Sequence, residues 1–143
     1  AVARMAQVVA GRIRSHLAGV GEPAEAVRSF ALTLAQYVEA SGFRSGGPIT
    51  TAALEAAATS ERVREACLDT YQLWRAAFRE KLVQSGCPEE RAARLASLII
   101  ASLEGAIILG RTERSVEPLE HVAEELACLL RTIDVEGARV LCR

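Results

Sequence analysis

From Leu95 to Gly110 the chain carries a single charged residue, Glu104. Wound as a helix, this run is apolar on every side. Leu95, Leu98, Ile99, Ser102, Ala106 and Leu109 share one side; Ile100, Ile107 and Ile108 occupy the other, together with Glu104 and Arg111. A helix that is apolar all round needs cover all round. The run is interrupted by a carboxylate and is shorter than the roughly 20 apolar residues of a membrane span, so no membrane partner is expected. One side is expected to pack on the chain's own core and the other to meet a second surface. After a turn at Arg111 to Ser115, the pattern becomes amphipathic, with Leu119, Val122, Ala123, Leu126, Leu129 and Leu130 on one stripe. Two neighbouring helices with apolar surface to spare imply a helical dimer.

The remaining pattern also repeats at helical spacing. Val2 to Val20 places Val2, Met5, Ala6, Val9, Ile13, His16, Leu17 and Val20 on one stripe, and Gly19-Val20-Gly21 stops it. Glu22-Pro23 opens a second helix running to about Ser41, with Val27, Phe30, Ala31, Leu34, Tyr37 and Val38 inward. The stretch Ser41 to Pro48 is dense in glycine and serine and reads as a helix C-cap followed by a turn. A short alanine-rich helix is expected from Ile49 or Thr50 to Ala58. Ser60 is placed to cap a long helix ending at Gln84, whose stripe holds Val63, Ala66, Cys67, Thr70, Tyr71, Trp74, Ala77 and Phe78. Pro88 opens the apolar helix, and Ser115 caps the last one, with Pro118 in its first turn. Asp134 to Arg143 carries too little apolar pattern to assign. No segment alternates with the period of a half-buried strand. The expected fold is all-α with six helices.

Composition narrows the class. The chain has 143 residues, half of them hydrophobic and about a quarter charged, enough for one domain with a real core. The net charge of −1 offers no basic patch of the kind a nucleic-acid surface needs. The four cysteines, Cys67, Cys87, Cys128 and Cys142, form no C-x-x-C pair and have no histidine at metal-ligand spacing. They read as reduced thiols of a cytoplasmic protein, with no metal and no cofactor. The pattern is already helical at Ala1, which suggests further chain upstream.

Candidate chemistry is sparse. His16 lies on an apolar stripe, as a satisfied interface histidine would, and His121 lies among Glu120, Glu124 and Glu125 on a polar face. The glycines of Gly42 to Gly47 lack the ending of a phosphate loop. No catalytic set emerges, so an enzyme is not expected. Glu104 has two readings: it recognises a ligand amine or fixes a dimer register, or it pairs with Arg111 or another arginine. Five of the six aromatic residues, Phe30, Tyr37, Tyr71, Trp74 and Phe78, fall on the inward stripes of two helices. Facing one another they would line a small-molecule cavity or simply fill the core.

SGFRSGGPITTAALEAAA at Ser41 to Ala58, ASLEGAIILGRTER at Ala101 to Arg114 and the following SVEPLEHVAEELACLL together resemble the C-terminal regulatory domain of TetR-family repressors, in the subgroup of lincosamide-resistance and flavonoid-responsive regulators. The resemblance spans roughly Ala24 to Thr132; where that subgroup often has cysteine before the loop proline, this chain has Gly47. It implies a homodimer whose last two long helices, Pro88 to Arg111 and Ser115 to Arg131, form a four-helix bundle across a two-fold axis. Ile100, Glu104, Ile107, Ile108, Arg111, Leu119, Val122, Leu126 and Leu129 are the expected interface. It implies a pocket for a small hydrophobic or aromatic effector, lined by Phe30, Leu34, Tyr37, Val38, Tyr71, Trp74 and Phe78 and walled by Leu98 and Ser102. Residues 1–20 would be a lever towards an N-terminal helix-turn-helix domain that alone meets operator DNA, 21–132 the sensing and dimerising body, and 133–143 a tail. Two other classes fit the residues: a helical homodimeric interaction domain without a ligand, and a small helical enzyme using Glu104 or His16.

Overall fold

The computed structural model describes residues 2–45 and 55–136, with side chains over 3–45 and 55–133. Among these residues the secondary structure is entirely helical: α1 (Val2–Ala18), α2 (Pro23–Ala40), α3 (Glu61–Gln84), α4 (Glu89–Glu113) and α5 (Glu117–Glu136). The expected short helix falls mostly outside the described residues; at its end Glu55 and Ala56 are helical and a turn leads to Ser60. The last helix runs further than its apolar pattern suggested, to Glu136.

Local chemistry fixes the ends. Pro23 sits in the first turn of α2, where a missing N–H leaves nothing unpaired. Ser60 Oγ accepts the Val63 N–H at the start of α3. Three helices stop in the same way, with a left-handed residue just past the end and a hydrogen bond reaching back five residues. At α2 the residue is Gly42 (φ 68) and Phe43 N–H meets Val38 O at 3.0 Å. At α3 it is Gly86 (φ 98), with Cys87 N–H on Leu82 O at 3.0 Å. At α4 it is Arg114 (φ 53), a side-chain-bearing residue in a conformation that favours glycine, with Ser115 N–H on Gly110 O at 3.0 Å. The turn folds back so tightly that Ser115 O lies 2.8 Å from where a Cβ on Gly110 would be.

The helices close a ring: α1 packs on α3, α3 on α4, α4 on α5, α5 on α2 and α2 back on α1, with a smaller contact between α2 and α4 across the middle. Inside lie Leu17, Val27, Val38, Phe78, Ile99, Leu119 and Leu130. Each such side chain contributes about 1.5–3 kcal/mol by leaving water. At the α2–α5 seam Arg28 bonds Glu124 at 2.8 Å and Glu25 at 3.4 Å. The hydrogen bond to Glu124 and its charge raise Arg28 above the ordinary guanidinium value.

Helix α1 is fastened along its length. Trp74 Nε1–H donates to Ala6 O at 3.3 Å, Arg14 pairs with Glu80 at 3.3 Å, and Lys81 Nζ donates to Val20 O at 2.6 Å, all from α3. Helix α4, at 25 residues, is long and apolar enough by composition to cross a membrane, with a mean hydropathy of 1.8 in its most apolar window. In this fold it is a wall of the ring, with Leu95, Ile99, Leu103, Ala106 and Ile107 in the core.

Candidate functional site

Two regions stand out: the aromatic interior and the outer face of α4 and α5. In the interior, Phe30 of α2 meets Phe78 of α3 edge-on, with ring centroids 5.6 Å apart at 75°. His16 of α1 meets Phe30 at 5.6 Å and 76°. Its Nε2 lies 2.7 Å from Ser29 Oγ, whose hydroxyl donates to Ala26 O. The histidine joins α1 to α2. One and two turns towards the start of α3, Trp74 and Tyr71 pack edge-on at 5.6 Å and 85°. The Tyr71 hydroxyl donates to Glu104 Oε2 at 3.4 Å, which puts the carboxylate at the seam of α3 and α4. Nearby, Arg111 Nε donates to Phe43 O at 3.3 Å and ties the end of α4 to the turn after α2.

The expected pocket residues divide. Val38, Trp74 and Phe78 are buried in one core cluster, with Phe30, Leu34 and Tyr71 half-buried against it. Tyr37 is 56% exposed and points away. Leu98 is 45% exposed on the outside of α4, and Ser102 lies half-buried beside it in the outer groove. Neither walls the aromatic cluster.

The expected interface residues divide as well. Ile107, Leu119 and Leu126 are buried in this chain's own core. Ile100, Val122 and Leu129 are half-buried against that core. Glu104 is half-buried at the α3 side of α4, and Arg111 is half-buried against the turn after α2. Ile108 is 46% exposed. The outward face of α4 is thus turned by about a quarter of the helix from the one expected. It carries Leu98, Ala101, Gly105, Ile108 and Leu109, of which Leu109 is 53% exposed.

Between this ridge and α5 lies an open groove of about 520 Å³, floored by Ala101, Ser102, Gly105 and Ala106 and walled by Leu109, Pro118 and Val122. Glu113, Glu117 and His121 close one end; His121 Nε2 lies 3.4 Å from Glu117 Oε1. The small residues were present in the sequence at a spacing of four, but a run apolar on all sides gave no reason to single them out.

Residues 23–125 match the family model described as the LmrA/YxaF-like transcriptional regulator, C-terminal domain. The HTH-type transcriptional regulator LmrA of Bacillus subtilis is 31% identical over 92% of this chain and 70% of its own length. The chain belongs to the TetR family of transcriptional regulators.

Other TetR-type relatives agree. YxaF of Bacillus subtilis, an uncharacterised HTH-type regulator, is 31% identical over 92% of this chain and 69% of its own. A TetR transcriptional regulator from Chloroflexus aurantiacus superposes with a TM-score of 0.73 at 31% identity, covering 91% of this chain and 68% of that one. The family match starts at the first residue of α2, so α1 precedes the matched domain and α2 to α5 make up its described part. The TetR resemblance read from the LEGA and SVEPLE stretches is thereby established, with the all-helical fold it implied.

Proposed function

We propose that this TetR-family domain senses a small hydrophobic effector and holds two copies of the regulator together, and that effector binding releases the full-length repressor from its operator. The observation that carries the reading is the division of labour between the two faces of the ring. Aromatic side chains of α2 and α3 gather inside, with the polar Tyr71–Glu104 pair at their edge. Leu98, Ile108 and Leu109 stay exposed outside, as an unfilled contact would leave them. Helix α1 is bonded to the Trp74 indole, so a guest that shifts Trp74 acts directly on α1. In a dimer, the α1 helices would lead to the reading heads, whose spacing must match successive major grooves. An effector favours the non-binding form only by binding it more tightly than the other. Partner, operator and regulation belong to the whole cytoplasmic protein, a regulator and not an enzyme.

The test uses the single tryptophan. The chain is titrated with anilinonaphthalene sulfonate, a hydrophobic aromatic probe, and Trp74 emission is followed. Saturable quenching with a one-to-one endpoint supports an interior site, and an aromatic library is then screened by displacement. Linear, unsaturable quenching would remove the sensing half of the proposal. The competing reading, a homodimeric interaction domain without a ligand, draws on the close edge-to-face packing of His16, Phe30 and Phe78.

A further inference from the structure

The end of α2 holds more backbone strain than a helix stop requires. Gly42, at φ 68, already supplies the left-handed residue that ends the helix. Phe43 follows at φ 61, left-handed again and carrying a ring. For a residue with a Cβ that backbone is disfavoured roughly 5- to 30-fold. A bulky side chain stays there only where its surroundings hold it. Phe43 N–H donates to Val38 O at 3.0 Å, and Arg111 Nε of α4 donates to Phe43 O at 3.3 Å. Ser41 Oγ donates to Val38 O at 2.7 Å and accepts the Ser45 N–H at 3.0 Å, which closes the turn. The Phe43 ring is half-buried against the core cluster.

We infer that the turn from Ser41 to Ser45 is a lid on the aromatic interior, latched by Arg111. When the latch lets go, Phe43 relaxes, its ring leaves the core, and a small hydrophobic guest reaches Trp74. The inference rests on the sensing role proposed above and adds the way in. Along α3, Phe78 lies deepest, with Trp74 and then Tyr71 nearer the helix start, and Tyr71 meets Glu104 of α4. Arg111 follows Glu104 by two helical turns, about 10 Å further along α4. The lid therefore stands beyond the Tyr71–Glu104 pair, at the end of the bundle where α4 finishes and away from Phe30 and Phe78.

Strain and latch are matched in size. A hydrogen bond from a charged donor shifts an equilibrium by about tenfold or more, the same order as the left-handed penalty. With Arg111 bonded the closed turn prevails; without that bond the penalty favours an extended backbone at Phe43, which carries the ring away from the core. A glycine at this position would make the same turn with neither strain nor ring. The strain therefore belongs to the placing of the ring, and it is relieved in the direction that opens the interior. The Ser41 hydroxyl keeps the rest of the turn in shape on α2, so the movement is confined to Phe43 and the residues just after it.

Acrylamide quenching of the single tryptophan tests the lid. Acrylamide is small and neutral and needs no binding site. Trp74 is 8% exposed, so the starting chain should be quenched weakly. Arg111→Met removes the latch and should raise the quenching constant about threefold or more, with the far-ultraviolet circular dichroism unchanged. Phe43→Gly removes ring and strain together and should raise it as far. The double variant should go no further than Phe43→Gly alone, because the latch acts only through Phe43. Constants unchanged in both single variants, or a double variant that multiplies the two increases, would overturn the lid. If Arg111→Met loses its helical signal, Phe43→Gly decides alone, since it leaves α4 untouched. Anilinonaphthalene sulfonate binding is read separately. Saturable binding with unchanged acrylamide constants removes the lid and keeps the sensing role; raised constants without saturable binding keep the closure and remove the sensing role.

Discussion

Gly110→Ala adds one methyl group at the point where the chain after α4 turns back on the helix. The new Cβ would lie 2.8 Å from the backbone oxygen of Ser115 and 4.0 Å from its carbonyl carbon. A comfortable carbon–oxygen approach is about 3.3–3.6 Å, so the carbonyl must retreat by roughly half an ångström. It has little freedom to do so. Ser115 N–H is bonded to Gly110 O, and Arg114 between them already holds a left-handed backbone. Forcing a methyl group into such a contact costs about 1–3 kcal/mol. Alanine recovers up to about 1 kcal/mol of helix propensity over glycine. With the central values, about 2 kcal/mol lost and at most about 1 regained, the net expectation is a loss of about 1 kcal/mol, or about 3 °C in melting temperature for a domain of this size. Gly11→Ala is the control. Gly11 is exposed in the middle of α1 and has nothing within 4 Å of its would-be Cβ. The same substitution there should raise the melting temperature by about 4 °C. Thermal unfolding followed by far-ultraviolet circular dichroism, at one fixed protein concentration, reads both. If Gly110→Ala melts at or above the starting chain, the account of the α4–α5 turn as a steric limit is wrong.

Arg114→Gly should stabilise the chain by about 0.5–1 kcal/mol, because glycine adopts the left-handed C-cap without a Cβ penalty; chemical denaturation measures it. If the proposed dimer uses the outer face of α4, Leu98→Asp should shift the chain's sedimentation towards the monomer while leaving its helical signal intact, since Leu98 is exposed within one copy; an unchanged dimer would place the contact elsewhere.

The helices themselves were legible in the sequence because their stop signals are chemical. Pro23, Ser60 and Gly42 act where they were read to act, since each meets a need of the backbone at that position. The rotation of α4 was not legible. A helix reveals its inner face by the contrast between apolar and polar residues, and Leu95 to Gly110 offers only Glu104 as contrast. One carboxylate on a wheel that is otherwise apolar does not say which side faces in. Glu104 sits at the α3 seam under the Tyr71 hydroxyl, where a hydrogen bond makes partial burial tolerable. Leu98, expected as a pocket wall from the resemblance, stays outside, and Ile107, expected at the interface, goes to the core. Tyr37 misled for a related reason, since a ring with a hydroxyl is at home on a stripe's edge or in water.

The sole lysine of the chain spends its ammonium group on the carbonyl of Val20, at the joint between the first two helices. Amine-directed reagents therefore have one side-chain target, and it is occupied whenever α1 lies against α3. The rate at which Lys81 is acylated becomes a chemical clock for the separation of these two helices, readable by mass spectrometry with no label engineered into the protein.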